Sequence, residues 1–288
     1  MRVAHIILTH KNHSQLVRLV KTLQHPQFDF YIHLDAKVPT SALEGIKEFS
    51  NVKLIKNRVA CNWGGFTIVQ AIFNSIAEVL DSGVKYDFIN LLSGQDYPIV
   101  NPEQIYNFLQ QNKGKNFISF DADHNSEWWK TAFDRYEKYH LTDFNFKGKF
   151  FAERILNKLT PARKFPEYTK VYGGNKSTWW TISTECAAYM NEKFNNSPKM
   201  IRFLKYCWGT DEFVIPTLIM NSPHQENVIN DNLRYIDWSE GNPNPKSFVL
   251  SDFDAIESSN MLFARKFDEF HDESILNRID DAIQVNKK

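Results

Sequence analysis

The chain has 288 residues, 42% of them hydrophobic and 24% charged, enough to bury a sizeable core and with nothing in the composition that points to disorder. Lys plus Arg and Asp plus Glu balance at 34 each, which argues against a polyanionic partner and so against nucleic acid. Three cysteines, Cys61, Cys186 and Cys207, are odd in number and widely spaced without a CxxC, so they predict reduced thiols rather than a disulfide framework or a structural zinc site.

Residues 3–8 are a short apolar run that predicts a strand. The run is too brief for a signal sequence or a membrane span, and no cleavage site follows it. The expectation is a cytoplasmic chain without a transmembrane segment, with peripheral association at the inner face of a membrane left open. Residues 14–23 predict a helix with Leu16, Val17, Leu19, Val20 and Leu23 on one face, and 28–34 a second strand. The alternation continues with a helix over 41–49, a strand over 52–55, a helix over 67–80, a strand over 88–92, a helix over 102–110 and a strand over 116–120. Such alternation predicts an α/β fold built on a mostly parallel, doubly wound sheet flanked by helices.

From about 121 to 166 the texture turns aromatic and charged, with helices expected over 126–139 and 150–159. This segment is expected to be a helical lobe inserted into one domain that spans 1–288. Further strands are expected at 178–182 and 234–236, and helices at 184–194 and 199–206. A helix from about 210 would be bent at Pro216. A closing helix through Val285 would take Asp272 as its N-cap.

In a doubly wound sheet, ligands bind beyond the carboxyl ends of the strands, which singles out Thr9-His10, His33-Leu34-Asp35 and Ser93-Gly94-Gln95-Asp96. No GxGxxG opens a helix and no GxxxxGK[ST] occurs, against a dinucleotide-binding or P-loop enzyme. None of the nine histidines forms HExxH or HxH, and there is no GxSxG. Tryptophans beside carboxylates, in Glu127-Trp128-Trp129-Lys130 and Asp237-Trp238-Ser239-Glu240, suit sugar stacking if exposed, or an aromatic core if not. Trp63-Gly64-Gly65 precedes a helix, where paired glycines permit either a close ligand approach or a plain sharp turn. Gly173-Gly174 with Thr178-Trp179-Trp180 is equally open between a donor floor and a hairpin.

Glu212, in Gly209-Thr210-Asp211-Glu212, is the best placed general base, with Thr210 expected to cap the following helix. Asp121-Ala122-Asp123 matches the DxD by which a divalent cation is held against a diphosphate, although so short a pattern is common. Asp252 and Asp254 repeat the spacing and fit a helix cap better. The tetrapeptide Ala-Arg-Lys-Phe occurs twice, at 162–165 and 264–267. In the second copy Arg265 and Lys266 sit among Leu262, Phe263 and Phe267, where burial calls for an anion, a phosphate being one candidate. The first copy, between Pro161 and Pro166, reads as a solvated connection.

In this order, His33-Leu34-Asp35, Trp63-Gly64-Gly65, Asn90-Leu91-Leu92-Ser93-Gly94-Gln95-Asp96-Tyr97-Pro98, Gly173-Gly174 with Trp179, Asp211-Glu212 and Phe263-Ala264-Arg265-Lys266-Phe267-Asp268 resemble the core-2/I-branching and protein xylosyltransferase family of inverting glycosyltransferases, glycosyltransferase family 14. The resemblance runs from the first strand to Asp268. It implies a GT-A-like fold, a UDP-sugar donor with xylose or N-acetylglucosamine favoured, and no metal or other cofactor. Arg265 and Lys266 would supply fixed positive charge at the departing diphosphate, assisted by Lys246.

The resemblance further implies that Asp35 and the segment of Cys61, Asn62, Trp63 and Gly64 contact the uridine. Thr178 and Trp179 would border the donor sugar, Trp238 and Ser239 would lie near it, and Glu212 would deprotonate the acceptor hydroxyl. Trp128, Trp129 and Arg135 are placed toward the acceptor. Phe-Ala-Arg-Lys-Phe leans to the xylosyltransferase branch. Animal members are Golgi proteins with a membrane anchor and many disulfides; the contrast gives the expectation of a cytoplasmic bacterial enzyme building a surface glycan, its acceptor a glycan, a lipid-linked glycan or a protein. The alternatives are a non-catalytic UDP-sugar or glycan-binding homologue and a metal-dependent transferase using Asp121 and Asp123.

Overall fold

A computed structural model describes residues 1–285. The first half of the chain forms β1 (Val3–Thr9), α1 (His13–Thr22), β2 (Phe28–Leu34), β3 (Val52–Leu54), α2 (Phe66–Leu80), β4 (Phe88–Ser93), β5 (Asp96–Pro98), α3 (Pro102–Gln111), β6 (Asn116–Ile118) and α4 (Glu127–Glu137). The second forms α5 (Lys149–Leu159), β7 (Thr181–Ser183), α6 (Thr184–Asn195), α7 (Pro198–Leu204), α8 (Val214–Met220), β8 (Val228–Asn230), β9 (Arg234–Ile236), α9 (Phe253–Glu257), β10 (Phe263–Arg265) and α10 (Glu273–Val285). The expected mostly parallel sheet flanked by helices is what these residues build. They divide into two compact units, one of Met1–Lys56, Val84–Lys115 and Leu233–Lys288, the other of Asn57–Gly83 and Asn116–Asn232.

The first unit carries four parallel strands in the order β3-β2-β1-β4. β2 and β4 are buried along their whole length and β1 nearly so, as strands covered on both faces must be. Two of the buried polar residues, His5 and Asn90, bond to each other. Asn90 Nδ2 donates to His5 Nδ1 at 2.9 Å, and Arg234 donates to Asn90 Oδ1 and to Leu91 O. Burial, with the nearby charge of Arg234, pushes the His5 imidazole down to about 3.

A second, three-stranded sheet in this unit has the order β5-β10-β9, with β10 antiparallel to β5 and parallel to β9. The sequence pattern does not predict β5 or β10: each is three residues long, and Pro98 in β5 demotes a strand signal. The helix expected over 41–49 is instead a 3₁₀ turn over Thr40–Ile46, broken where Leu43 leaves helical geometry at φ −109° and ψ 25°. α10 starts as expected, Asp272 Oδ1 accepting from Ser274 N at 2.8 Å.

In the second unit β6 lies between β7, antiparallel to it, and β8, parallel to it. Phe73 of α2 and Phe194 of α6 stack face to face with centroids 3.8 Å apart. Ser126, Ser183 and Ser197 cap α4, α6 and α7. Gly65 has no side chain with which to cap α2, and Asp143 takes that role from a distant loop, accepting from Thr67 N at 3.3 Å and Thr67 Oγ1 at 2.9 Å. α8 starts at Val214, not at Thr210, so Pro216 falls in its first turn, where the missing N–H is no loss and no bend is required. Among the described residues no helix is long and apolar enough to cross a membrane.

Candidate active site

Glu212 sits in the second unit at the end of a 3₁₀ turn, Thr210–Glu212, that opens on Gly209. Gly209 has φ +61°, and a Cβ there would lie 2.3 Å from Arg135 Nη1, so only glycine lets the guanidinium in. Thr210 does not cap a helix as expected; its Oγ1 reaches Gly65 O at 3.3 Å, because the turn has no regular helix directly behind it to cap. Glu212 Oε2 accepts from Trp128 Nε1 at 2.6 Å and faces Arg135 Nη1 at 3.1 Å. The guanidinium also lies over the rings of Trp208, at 4.5 Å, and Trp128, at 5.5 Å.

Burial pushes the Glu212 carboxyl up to about 7, against the pull of Arg135 and the Trp128 bond. The side chain still keeps 21% of its surface open, enough for a proton donor to reach it. A carboxylate poised near neutrality on a fixed support is what general-base chemistry requires.

The glycine pairs serve this cluster. A Cβ on Gly173 would lie 2.3 Å from the Trp128 ring and 2.7 Å from Glu212 O, and Gly174 N donates to Glu212 O at 3.2 Å. Gly173-Gly174 is therefore a seat for the Glu212 turn, not a hairpin. Gly64 has φ +70° and presses on Trp208, and its carbonyl accepts from Gly209 N at 2.7 Å. Trp63 stands 61% exposed with Trp208 edge-on at 5.5 Å. Thr178 Oγ1 donates to Asp211 Oδ2 at 2.8 Å, and Trp179 beside it is half-buried. Asn62 Nδ2 is committed to Asp143 Oδ1 at 3.0 Å, and the Cys61 thiol points at Val59 O and Thr67 O.

Of the two readings open for the α4 tryptophans, exposed for stacking or part of an aromatic core, the structure shows the second. Trp128 and Trp129 are 6% and 3% exposed, since α4 turns that face into the unit. Trp129 Nε1 donates to Asp121 O at 2.9 Å. The Asp121 and Asp123 carboxylates hold local turns: Asp121 Oδ2 accepts from Ser126 Oγ, and Asp123 Oδ1 from Asn125 N and Nδ2.

The cationic residues belong to the first unit. β10 pairs Arg265 with Asp96 of β5, and Arg265 Nη1 meets Asp96 Oδ1 at 2.6 Å while Ser93 N donates to Asp96 Oδ2. Asp96 is wholly buried. An anion of the kind that a buried Arg265 calls for is thus already in the chain, Asp96, where phosphate was one candidate. Lys266 differs: it is half-buried with no carboxylate within ion-pair distance among the described residues. Burial, with Arg265 and Lys11 nearby, lowers its pKa. The loop bearing it is tied to Ser93-Gly94-Gln95-Asp96, Phe267 N donating to Gln95 O and Gln15 Nε2 bridging Gly94 O and Phe267 O.

The ends of β1 and β2 complete this cluster. Lys11 pairs with Asp268 at 2.8 Å, and Asp35 Oδ1 accepts from Lys37 N. Burial lowers the His10 pKa, and Lys11, Lys266 and Lys37 add to that effect while Asp35 opposes it. Lys246 is ion-paired to Asp252 at 2.6 Å. Trp238 is half-buried and Ser239 exposed, in a turn where Ser239 N donates to Asp237 Oδ1. Sequence reasoning missed Trp208, Asp143, Gln15 and the pairing of Asp96 with Arg265; no local pattern marks them, because each partner is distant in the chain.

The family model for Core-2/I-branching enzymes matches residues 3–262. Xylosyltransferase 1 of Rattus norvegicus is 24% identical over 308 aligned residues, which cover 99% of this chain and 36% of the rat protein. Xylosyltransferase 2 of Canis lupus familiaris is 26% identical, covering 97% of this chain and 33% of its own length. The chain spans about a third of the length of these relatives. Among solved structures, apo mouse xyloside xylosyltransferase 1 aligns with 91% of this chain and 97% of its own at 12% identity, with a TM-score of 0.39 that is too low to speak for the fold. A family match over nine-tenths of the sequence, carried by both the Glu212 unit and most of the cationic one, means that the chain belongs to the Core-2/I-branching enzyme family of glycosyltransferases.

Proposed function

We propose that the chain is an inverting glycosyltransferase that moves a sugar, xylose or N-acetylglucosamine, from a UDP-sugar to an acceptor hydroxyl. The observation that carries the reading is Glu212, a partly open carboxylate held by Trp128 and Arg135 with its pKa raised to about 7. In this reading the acceptor O–H gives its proton to Glu212 while the oxygen bonds to the anomeric carbon. The bond from that carbon to the UDP oxygen breaks, and the electron pair leaves on the diphosphate. Lys266 and Arg265, assisted by Lys246, meet that charge without a metal. Lys266 takes the larger share, since Asp96 already neutralises Arg265.

Asp35, Cys61, Asn62, Trp63 and Gly64 are proposed for the uridine, and Thr178, Trp179, Trp238 and Ser239 for the donor sugar. Arg135 and Trp128 are proposed to steady the base, with the acceptor approaching from their side. Residues 1–288 are proposed to form a single GT-A-like transferase domain. A cytoplasmic setting is proposed for the chain. The acceptor is proposed to be a surface glycan, lipid-linked or carried on protein.

Glu212→Gln tests the reading. Transfer should fall by at least about a hundredfold while calorimetric binding of UDP persists, and substantial transfer by the variant would remove the assigned base. Activity should survive EDTA; loss with rescue by manganese would promote Asp121 and Asp123. A thermal-shift series with UDP-xylose, UDP-N-acetylglucosamine, UDP-glucose and UDP identifies the donor, because the preferred ligand raises the melting temperature most.

A further inference from the structure

An amphipathic helix in a folded unit turns its apolar arc inward and its polar residues to water. α5 does the reverse. Its polar residues hold it down: Glu153 Oε2 accepts from Leu141 N at 2.8 Å, and Asn157 accepts from Tyr139 N at 2.7 Å and donates to Tyr139 O at 2.8 Å. No α5 side chain is buried. Phe151, Ile155 and Leu159 follow one another at a spacing of one turn and stand 68%, 41% and 77% exposed. Phe150 flanks them at 75%, and Phe146 leads into the helix at 48%.

Cations edge this apolar arc. At helical spacing Arg154 and Lys158 fall on one side of it and Lys149 on the other, with Lys147 just before the helix. Residues 145–159 hold these four cations against one carboxylate, Glu153, and that carboxylate is turned onto Leu141 N. In a chain of zero formal net charge this is a local concentration of positive charge.

Exposed rings and aliphatic side chains bordered by Lys and Arg suit a helix lying in a membrane interface, where the apolar arc enters the acyl boundary and the cations meet headgroups. A second copy of the chain fits less well, since pairing the patch with itself brings its cations together. We infer that α5 docks this unit on an anionic phospholipid surface, with Phe151, Ile155 and Leu159 inserted and Lys147, Arg154 and Lys158 at the phosphates. The inference stands apart from the proposed transfer reaction.

Co-sedimentation with vesicles tests it, using phosphatidylcholine alone and phosphatidylcholine mixed with phosphatidylglycerol. The chain should bind the mixed vesicles, should leave the neutral ones in solution, and should release as salt is raised. The triple variant Phe151→Ser, Ile155→Ser, Leu159→Ser should bind at least tenfold more weakly with unchanged circular dichroism and melting temperature, because it alters no buried side chain. Arg154→Gln and Lys158→Gln should each weaken binding by roughly fivefold. The inference is overturned by failure to bind the mixed vesicles, by equal binding to neutral ones, or by undiminished binding of the variants. Self-association in ultracentrifugation that the triple variant abolishes would also overturn it, assigning the patch to a second copy.

Discussion

Trp128 and Arg135 both act on one oxygen of Glu212, so the charge state of that carboxylate is set by a contest that single substitutions can tip. Desolvation raises the pKa and Arg135 lowers it, so removing Arg135 must raise it further. If ionised Glu212 is the working form, activity falls as pH drops through about 7. In Arg135→Met the acid limb of the kcat/KM profile should move to higher pH, while Arg135→Lys restores part of the shift; an unmoved limb would show that Arg135 does not tune the base. The cation pair divides in the same way. Asp96→Asn removes the carboxylate that pairs with the largely buried Arg265 and should lower unfolding free energy by roughly 3–5 kcal/mol in urea titrations. Lys266→Met should leave stability within about 1 kcal/mol yet weaken UDP binding. Glu212 itself was legible in the sequence, whereas its partners Trp128, 84 residues away, and Arg135 were legible only as aromatic and basic residues of some use to a sugar.

At the scale of elements, what the sequence disclosed follows from length and repetition. β2 falls on the expected residues, and α2, α3 and α6 within one, because burial on both faces or a regular apolar stripe repeats the signal. Three-residue strands carry almost no repeat: β9 could be read on its own, but β5 and β10, whose pairing sets Arg265 opposite Asp96, could not. The first Ala-Arg-Lys-Phe copy was misjudged for a related reason. Flanking prolines suggested a solvated link, but Arg163 donates to Lys138 O, Tyr206 O and Phe203 O and lies over the rings of Tyr139 and Phe203. Phe203 O is in the last turn of α7 and Tyr206 O just beyond it, where the helix dipole favours a cation. Arg163→Ala should therefore destabilise the second unit by about 2–4 kcal/mol without changing affinity for UDP. A loss of UDP binding with stability intact would assign this copy to the donor site instead.

Across the whole molecule, two buried groups give opposite pH dependences. His5 is neutral when folded, with its pKa lowered from 6.5 to about 3, so from pH 6.5 downward the unfolded chain binds a proton that the folded chain refuses. That contribution to stability is full above 6.5 and is lost on acidification; His10, also lowered, has the same sign. Glu212 is the reverse. Its pKa rises from 4.5 to about 7, so the folded chain holds a proton the unfolded one has lost, and stability from this group is full below 4.5 and falls as pH rises to 7. Between pH 4.5 and 6.5 both groups act, each with a slope on the order of 1.4 kcal/mol per pH unit and of opposite sign. Wild-type stability over that range should be flatter than His5 alone would make it. Glu212→Gln removes the opposing slope, so unfolding free energies of the variant should drop more steeply from pH 6.5 to 4.5 than those of the wild type. Parallel curves for the two proteins would mean that Glu212 titrates near 4.5 when folded, and the carboxylate would then be an ordinary exposed acid with no claim to a tuned role.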